Sequence, residues 1–224
     1  MSDLHKGHRQ RLRNSYLQTG IDGFTQVQTL ELVLSYSIPR KDVNPVAHEL
    51  LERFHNLSGV FSASVEELCE VKEITEYSAV LLKLIPDVIK KAQKENTRSI
   101  KAITNSGLAA EYLIPYYMFD DDEKALLLCL DSKKKVVRCE EISRGVVNSV
   151  DLNSRIIAET AMKAKACSVI LSHNHPSGDP SPSQEDINAT KYIKDALALI
   201  GIPLIDHIII SGENYCSFLD LSIM

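Results

Sequence analysis

Residues 173–186 read His173-Asn174-His175-Pro176-Ser177-Gly178-Asp179-Pro180-Ser181-Pro182-Ser183-Gln184-Glu185-Asp186. They follow Cys167-Ser168-Val169-Ile170-Leu171-Ser172, an apolar run rich in β-branched residues that reads as a buried strand. In an extended chain residues i and i+2 project to one side, so His173 and His175 offer two imidazoles to one ion. His175 also precedes a proline, which favours extended backbone at that position. Eleven residues on, Asp186 lies just inside an amphipathic helical pattern. Two imidazoles and one carboxylate make a facial ligand set with positions left open. Pro176, Pro180 and Pro182 fix φ and Gly178 permits a sharp turn, so the connecting loop is expected to be ordered. A second physical reading applies to the same residues. Ser183 at an N-cap with Asp186 three residues later forms a variant capping box, and one carboxylate can serve both roles.

Outward from this stretch, the pattern alternates strands and helices. Ala125 to Asp131 reads as a strand buried on both faces, and Val136 to Cys139 as its hairpin partner after the polar turn Asp131-Ser132-Lys133-Lys134. Gly145-Val146-Val147 adds a short strand, and Ile156, Ile157, Thr160, Ala161 and Ala164 mark one helix face. A helix is expected from Gln184 to Ile200 with Gly201 at its C′ position, then a strand from Leu204 to Ile210 and an edge strand around Tyr215–Phe218. With a leading helix over Leu108–Phe119, the order points to an α/β (α+β) mixed sheet flanked by helices, spanning 107–224. Residues 96–106 are a polar linker, and 1–95 a small all-helical domain. In that domain Pro39 closes one helix, Asn44-Pro45 starts another, Ser64 and Glu67 form a capping box, and Pro86 kinks or splits the last helix.

Composition sets outer bounds. The chain has 224 residues, 44% of them apolar and 25% charged, which suits globular folding. No apolar run is long enough to span a membrane, and the start MSDLHKGHRQRLRNSY lacks the apolar core of a signal peptide. Five scattered cysteines without a C-x-x-C pair read as buried small hydrophobes of a reducing cytoplasm, with Cys167 in the core. The net charge of −5 is poor support for nonspecific nucleic-acid binding. One basic cluster, Lys6, Arg9, Arg11 and Arg13 with His5 and His8, reads as a solvated arm or first helical turn, a phosphate-contacting arm, or a partner or subunit contact.

The spacing His-x-His, seven residues, Ser-x-x-Asp resembles the JAMM signature of JAB/MPN metalloproteases. The longer string HNHPSGDPSPSQED is similar to that of their bacterial RadC branch, and ALLLCLD and LIDHIII fit the same branch. The resemblance implies a JAB/MPN fold, related to cytidine deaminase-like architecture, and hydrolysis of a peptide, amide or isopeptide bond by a metal-activated water. It implies Zn²⁺ held by His173, His175 and Asp186, with Glu123 as general base and Ser183 as a donor to the oxyanion or the activated water. The ligand set alone also admits Fe²⁺ or Mn²⁺. Asp122 and Glu159 are rivals for the base, and His207 is expected beside the ligands rather than among them.

RadC relatives usually carry a helix-hairpin-helix-like region with a Gly-x-Gly turn, through which backbone N–H groups meet a DNA phosphate. Here that turn is Val71-Lys72-Glu73-Ile74-Thr75-Glu76, and seven Glu between Glu49 and Glu76 face only Arg53 and Lys72. The domain is thus a degenerate version of the motif. Two further departures are Leu152-Asn153-Ser154-Arg155-Ile156, where relatives show Val-His-Pro-Arg-Glu, and Lys165, where they carry Asn. The competing function is a non-catalytic factor, associated with DNA repair or docking proteins, built on a metal-binding domain. The expected partners are a protein or peptide substrate and, with weaker support, DNA, and a homo-oligomer is possible on either reading.

Overall fold

A computed structural model describes residues 7–97, 99–145 and 153–224. The chain divides into two units, Met1–Ile89 and Lys90–Met224. The first holds helices α1 (His8–Thr19), α2 (Gln26–Leu34), α3 (Asn44–Phe54), α4 (Leu57–Ser62), α5 (Val65–Cys69) and the start of α6 (Glu76–Thr97). Their apolar faces meet in a core that includes Leu30, Leu34, Val46, Leu50, Val60, Leu68 and Leu82. The Ser64–Glu67 capping box forms as expected, and Thr25 with Gln28 makes a second one. Two expectations are corrected. Helix α3 starts one residue early, with Val43 as N-cap, because the Asn44 N–H is taken by the Asp42 carboxylate at 3.0 Å. Pro86 does not split the last helix, which runs continuously past it.

The basic cluster is used in part by the fold itself. The Arg9 guanidinium donates to the carbonyls of Ser35 (3.2 Å), Ile38 (2.7 Å) and Lys41, gathering the chain that leaves α2. His8 meets the buried Glu31 carboxylate at 2.9 Å. In the turn between α5 and α6 Glu73 holds a left-handed φ of 70°, a conformation glycine adopts without penalty, and its carboxylate pairs with Lys41.

In the second unit, α7 (Ser106–Tyr117) leads into strands β1 (Lys124–Leu130) and β2 (Val136–Arg144). Then come α8 (Ser154–Lys163), β3 (Ser168–Asn174), α9 (Gln184–Ala198), β4 (Leu204–Ser211) and β5 (Asn214–Ser217). Among the described residues the strands form one sheet in the order β2-β1-β3-β4-β5. Only β3 and β4 are parallel, joined through α9, so the sheet is mixed. Both central strands, β1 and β3, are buried along their whole length, which is why they read as continuous apolar runs. Leu127, Leu171 and Val169 pack with α8 and α9 on one face, while Leu126, Leu128 and Ile170 pack with α7 on the other.

Strand β2 is longer than expected and reaches Arg144, and the short strand at Gly145-Val146-Val147 falls, beyond Gly145, outside the described residues. Cys129 is buried, but Cys69 and Cys167 are exposed. The correction at Cys167 follows from register: β3 starts at Ser168, leaving Cys167 at the mouth of the strand. Helix α9 stops at Ala198, short of Ile200, and Gly201 turns the chain at φ 71°. Lys165 occupies a left-handed backbone with φ 52°, a state Asn tolerates better than Lys. No helix among the described residues is long and apolar enough to cross a membrane.

Candidate metal centre

Strand β3 delivers its last residues to the end of the sheet where the chain turns into the proline-rich loop. His173 lies in register between Ala125 of β1 and Ile209 of β4. His175 is one residue beyond the strand, yet its N–H donates to Ile210 O (2.8 Å) and its carbonyl accepts from Ser211 Oγ (2.7 Å). The ladder is thereby prolonged, and both imidazoles project together as the i, i+2 spacing requires. Gly178 takes φ 99° in the loop, so a turn only glycine makes readily brings the chain back toward the strand end. Ser183 caps α9, and Asp186, third in that helix, points its carboxylate at the imidazoles.

The three side chains converge. His173 Nε2 and His175 Nε2 are 3.0 Å apart. Asp186 Oδ1 is 3.2 Å from His173 Nε2, and Asp186 Oδ2 is 3.6 Å from His175 Nε2. These separations bracket the edge of about 3.3 Å that a tetrahedron with ligand bonds of about 2.0 Å requires. Two imidazole lone pairs so close repel unless a proton or a cation lies between them, so the donor set fits a metal ion. His173 and Asp186 are buried and His175 is partly exposed, which leaves one side of the cluster open.

The surroundings prepare the ligands. His175 Nδ1 meets the Asp179 carbonyl at 2.9 Å; a carbonyl only accepts, so Nδ1 carries the proton and Nε2 is free to bind. The capping box holds Asp186: its N–H donates to Ser183 Oγ (3.1 Å), while the Ser183 N–H (2.8 Å) and hydroxyl (2.7 Å) donate to Oδ2. Burial pushes the Asp186 carboxyl up, but pairing with the His173 and His175 imidazoles in their protonated forms, and the hydrogen bond from Ser183, outweigh it and hold the group well below the usual carboxylate range. The Asp186 carboxylate raises the His175 imidazole; burial opposes this, and the Asp179 carbonyl and the Glu123 charge reinforce it. His207 is fully buried, and burial pushes its imidazole well below the ordinary range, so it stays neutral. Its Nε2 is 2.8 Å from His173 Nδ1, beside the ligands as expected. Strand alternation turns Asp206 the other way, onto Ser217 Oγ at 2.7 Å.

Glu123 immediately precedes β1, partly buried, and its charge is felt at His175. The rivals are placed differently. Asp122 is exposed, and Glu159 pairs with Arg155 and Lys163 on the surface of α8; the adjacent Asp120 pairs with Lys124, Lys90 and Arg144. A residue missed by reading the sequence alone holds Glu123 in place. The Asn174 side chain accepts from Lys124 N (2.8 Å) and donates to Asp122 O (3.0 Å), bracketing Glu123 with two backbone bonds. Nothing in the sequence marks Asn174 for this, since its partners lie about fifty residues earlier and are backbone groups. The role of Thr190 was also missed; its signal is a hydroxyl one turn after Asp186 on the buried face of α9.

The sequence profile of the RadC-like JAB domain matches residues 103–223, which takes in the whole sheet and the metal centre. The chain is 37% identical over 223 residues to UPF0758 protein FN0909 of Fusobacterium nucleatum, covering 96% of each. It is 35% identical over 218 residues to UPF0758 protein SPO0054 of Ruegeria pomeroyi, covering 97% of each. The chain belongs to the RadC/UPF0758 family. That places it in the JAB/MPN, JAMM-like superfamily, and the mixed sheet with its flanking helices is the fold of that group. His173, His175 and Asp186 form the JAMM-like metal-binding triad within it.

Proposed function

We propose that this RadC-family protein is a zinc-dependent hydrolase that cleaves a peptide, amide or isopeptide bond. The observation that carries the reading is the convergence of His173, His175 and Asp186 at one partly open end of the sheet, and the charge of Glu123, just before β1, acting on His175 supports it. Zn²⁺, when bound, supplies Lewis acidity that acidifies a water and polarises the scissile carbonyl. Glu123 takes the proton from the attacking water and passes it to the leaving amine as the C–N bond breaks, giving a carboxylate and an amine. Asn174 keeps that carboxylate in place through the backbone on either side. Ser183 offers its hydroxyl to the developing oxyanion. In the structure the same hydroxyl donates to Asp186 Oδ2, so this role requires it to rotate away, while the Ser183 N–H remains on the carboxylate.

A DNA-associated role has less support, since Arg9 is committed to backbone carbonyls and Glu73 takes the place at the turn where relatives have a glycine motif. Elemental mass spectrometry on protein purified without a metal-affinity tag tests the hydrolase reading. Near-stoichiometric zinc, lost in a folded His173→Ala/His175→Ala variant, is expected, followed by cleavage of peptide or isopeptide substrates that Glu123→Gln abolishes. A wild type that takes up no metal even when zinc is supplied would leave a non-catalytic protein.

A further inference from the structure

We infer that Thr190 and His207, two buried side chains outside the ligand set, fix the proton of His173 on Nδ1 and so keep its Nε2 lone pair turned to the metal centre. The inference rests on the metal-centre reading above and adds positioning residues to it.

Proton counting carries the argument. Thr190 Oγ1 lies 2.6 Å from the carbonyl of Asp186, which can only accept, so the single hydroxyl proton of Thr190 goes there. The same oxygen is 2.6 Å from His207 Nδ1. With its proton already given away, Thr190 must accept, and His207 therefore carries hydrogen on Nδ1. His207 has no exposed surface. A second proton on its Nε2 would bury a cation next to a site built for another cation, so Nε2 keeps a lone pair. Across a 2.8 Å gap that lone pair faces His173 Nδ1, which must be the donor. Neutral His173 then carries its single proton on Nδ1 and a lone pair on Nε2, the atom aimed at His175 and Asp186.

The chain of donors runs from His173 through His207 and Thr190 to the backbone of Asp186, linking two ligand residues on different elements through strand β4. The His207 ring stacks on Phe218, with centroids 4.6 Å apart, and the backbone N–H of His207 donates to the Asp206 carboxylate at 2.7 Å. His175 achieves the same tautomer with one carbonyl, whereas at the buried His173 the partner of Nδ1 is His207, a side chain whose own tautomer is fixed.

The test combines long-range ¹H–¹⁵N NMR of the histidines in zinc-free protein at pH 9 with zinc affinity measured against a chelator. His173 is expected to show the Nδ1–H form. Thr190→Val and His207→Phe are expected to weaken zinc by about 10- to 100-fold, the usual effect of removing such a partner. Thr190→Ser, which keeps the hydroxyl, is expected to restore wild-type affinity, and it guards against mistaking poor folding of the other variants for lost positioning. An Nε2–H form of His173 in the wild type would overturn the inference, as would Thr190→Val binding zinc within twofold of wild type. If the wild type binds no zinc, the metal reading fails by itself, and the NMR result still decides the tautomer.

Discussion

Asp186 does two jobs on one carboxylate, and Asp186→Asn separates them. Asn is close in shape and keeps an oxygen for the Ser183 N–H and hydroxyl, now 2.8 and 2.7 Å from Oδ2. Without metal, and above the pH at which His175 has lost its proton, the variant loses the charge near the start of α9, a cost of about 0.3–1 kcal/mol. With zinc the loss is larger. At free zinc of 100 times the wild-type Kd, binding adds about 2.7 kcal/mol to stability. If the neutral amide weakens binding 100-fold, the same zinc adds only about 0.4 kcal/mol, so the zinc-dependent part of the difference is about 2.3 kcal/mol. The assay is urea unfolding followed by circular dichroism, run once in EDTA and once in buffered zinc. Equal zinc stabilisation of Asp186→Asn and wild type would show that the carboxylate is a helix cap and no ligand. A loss of more than about 2 kcal/mol in EDTA would show that its charge matters more to the fold than the capping geometry allows.

Glu123→Gln is expected to keep zinc affinity within a few-fold of wild type while lowering kcat by about 100-fold or more, the range of a general base; unchanged turnover in a peptide-cleavage assay would remove Glu123 from the chemistry. Ser183→Ala should cost about 1 kcal/mol in thermal unfolding through the lost cap, with Ser183→Thr restoring it; a kcat drop of about 100-fold beyond that would mark the oxyanion role. The pH dependence has a definite sign. His175 is raised above 6.5, so the proton it holds stabilises the metal-free protein fully below about 6.5, and that contribution is lost as pH climbs through the raised value. Asp186 is held below 3.8, so its contribution is present above 3.8 and lost as pH falls through the depressed value. Zinc must displace the His175 proton, so its affinity should rise about tenfold per pH unit until His175 has titrated and then flatten; competition with a chelator from pH 5.5 to 8.5 that gave a level profile would contradict this. Arg9→Ala should raise hydrogen exchange in α1 and α2, with a local cost of about 1–2 kcal/mol, and leave low-salt binding of duplex DNA unchanged.

How much of this was legible depended on how local each cause was. The two imidazoles, the strand that carries them and the capping box lie within nineteen residues or so, and strand alternation with helix capping is enough to place them. The central strands were legible because burial on both faces leaves continuous apolar runs such as Ala125–Leu130. Elements whose cause lies elsewhere were misread. Arg9 looks like a free basic residue until the carbonyls of Ser35 and Ile38 arrive from the chain that leaves α2. Cys167 looks like core because its neighbours do, but the strand register starts one residue later. Asn174 and Thr190 act through backbone groups, and backbone partners leave no letter in the sequence to match.

The bracket that Asn174 places around Glu123 also sets an order of events during synthesis. Glu123 leaves the ribosome about fifty residues ahead of the amide that will hold it, and the ligands come on either side of that amide. A nascent or broken chain that stops before β3 therefore has the carboxylate without its anchor, its imidazoles or its cation. On the hydrolase reading proposed above, cleaving power would come only once β3 and α9 have joined β1, so the timing of folding itself would keep an unfinished molecule inactive.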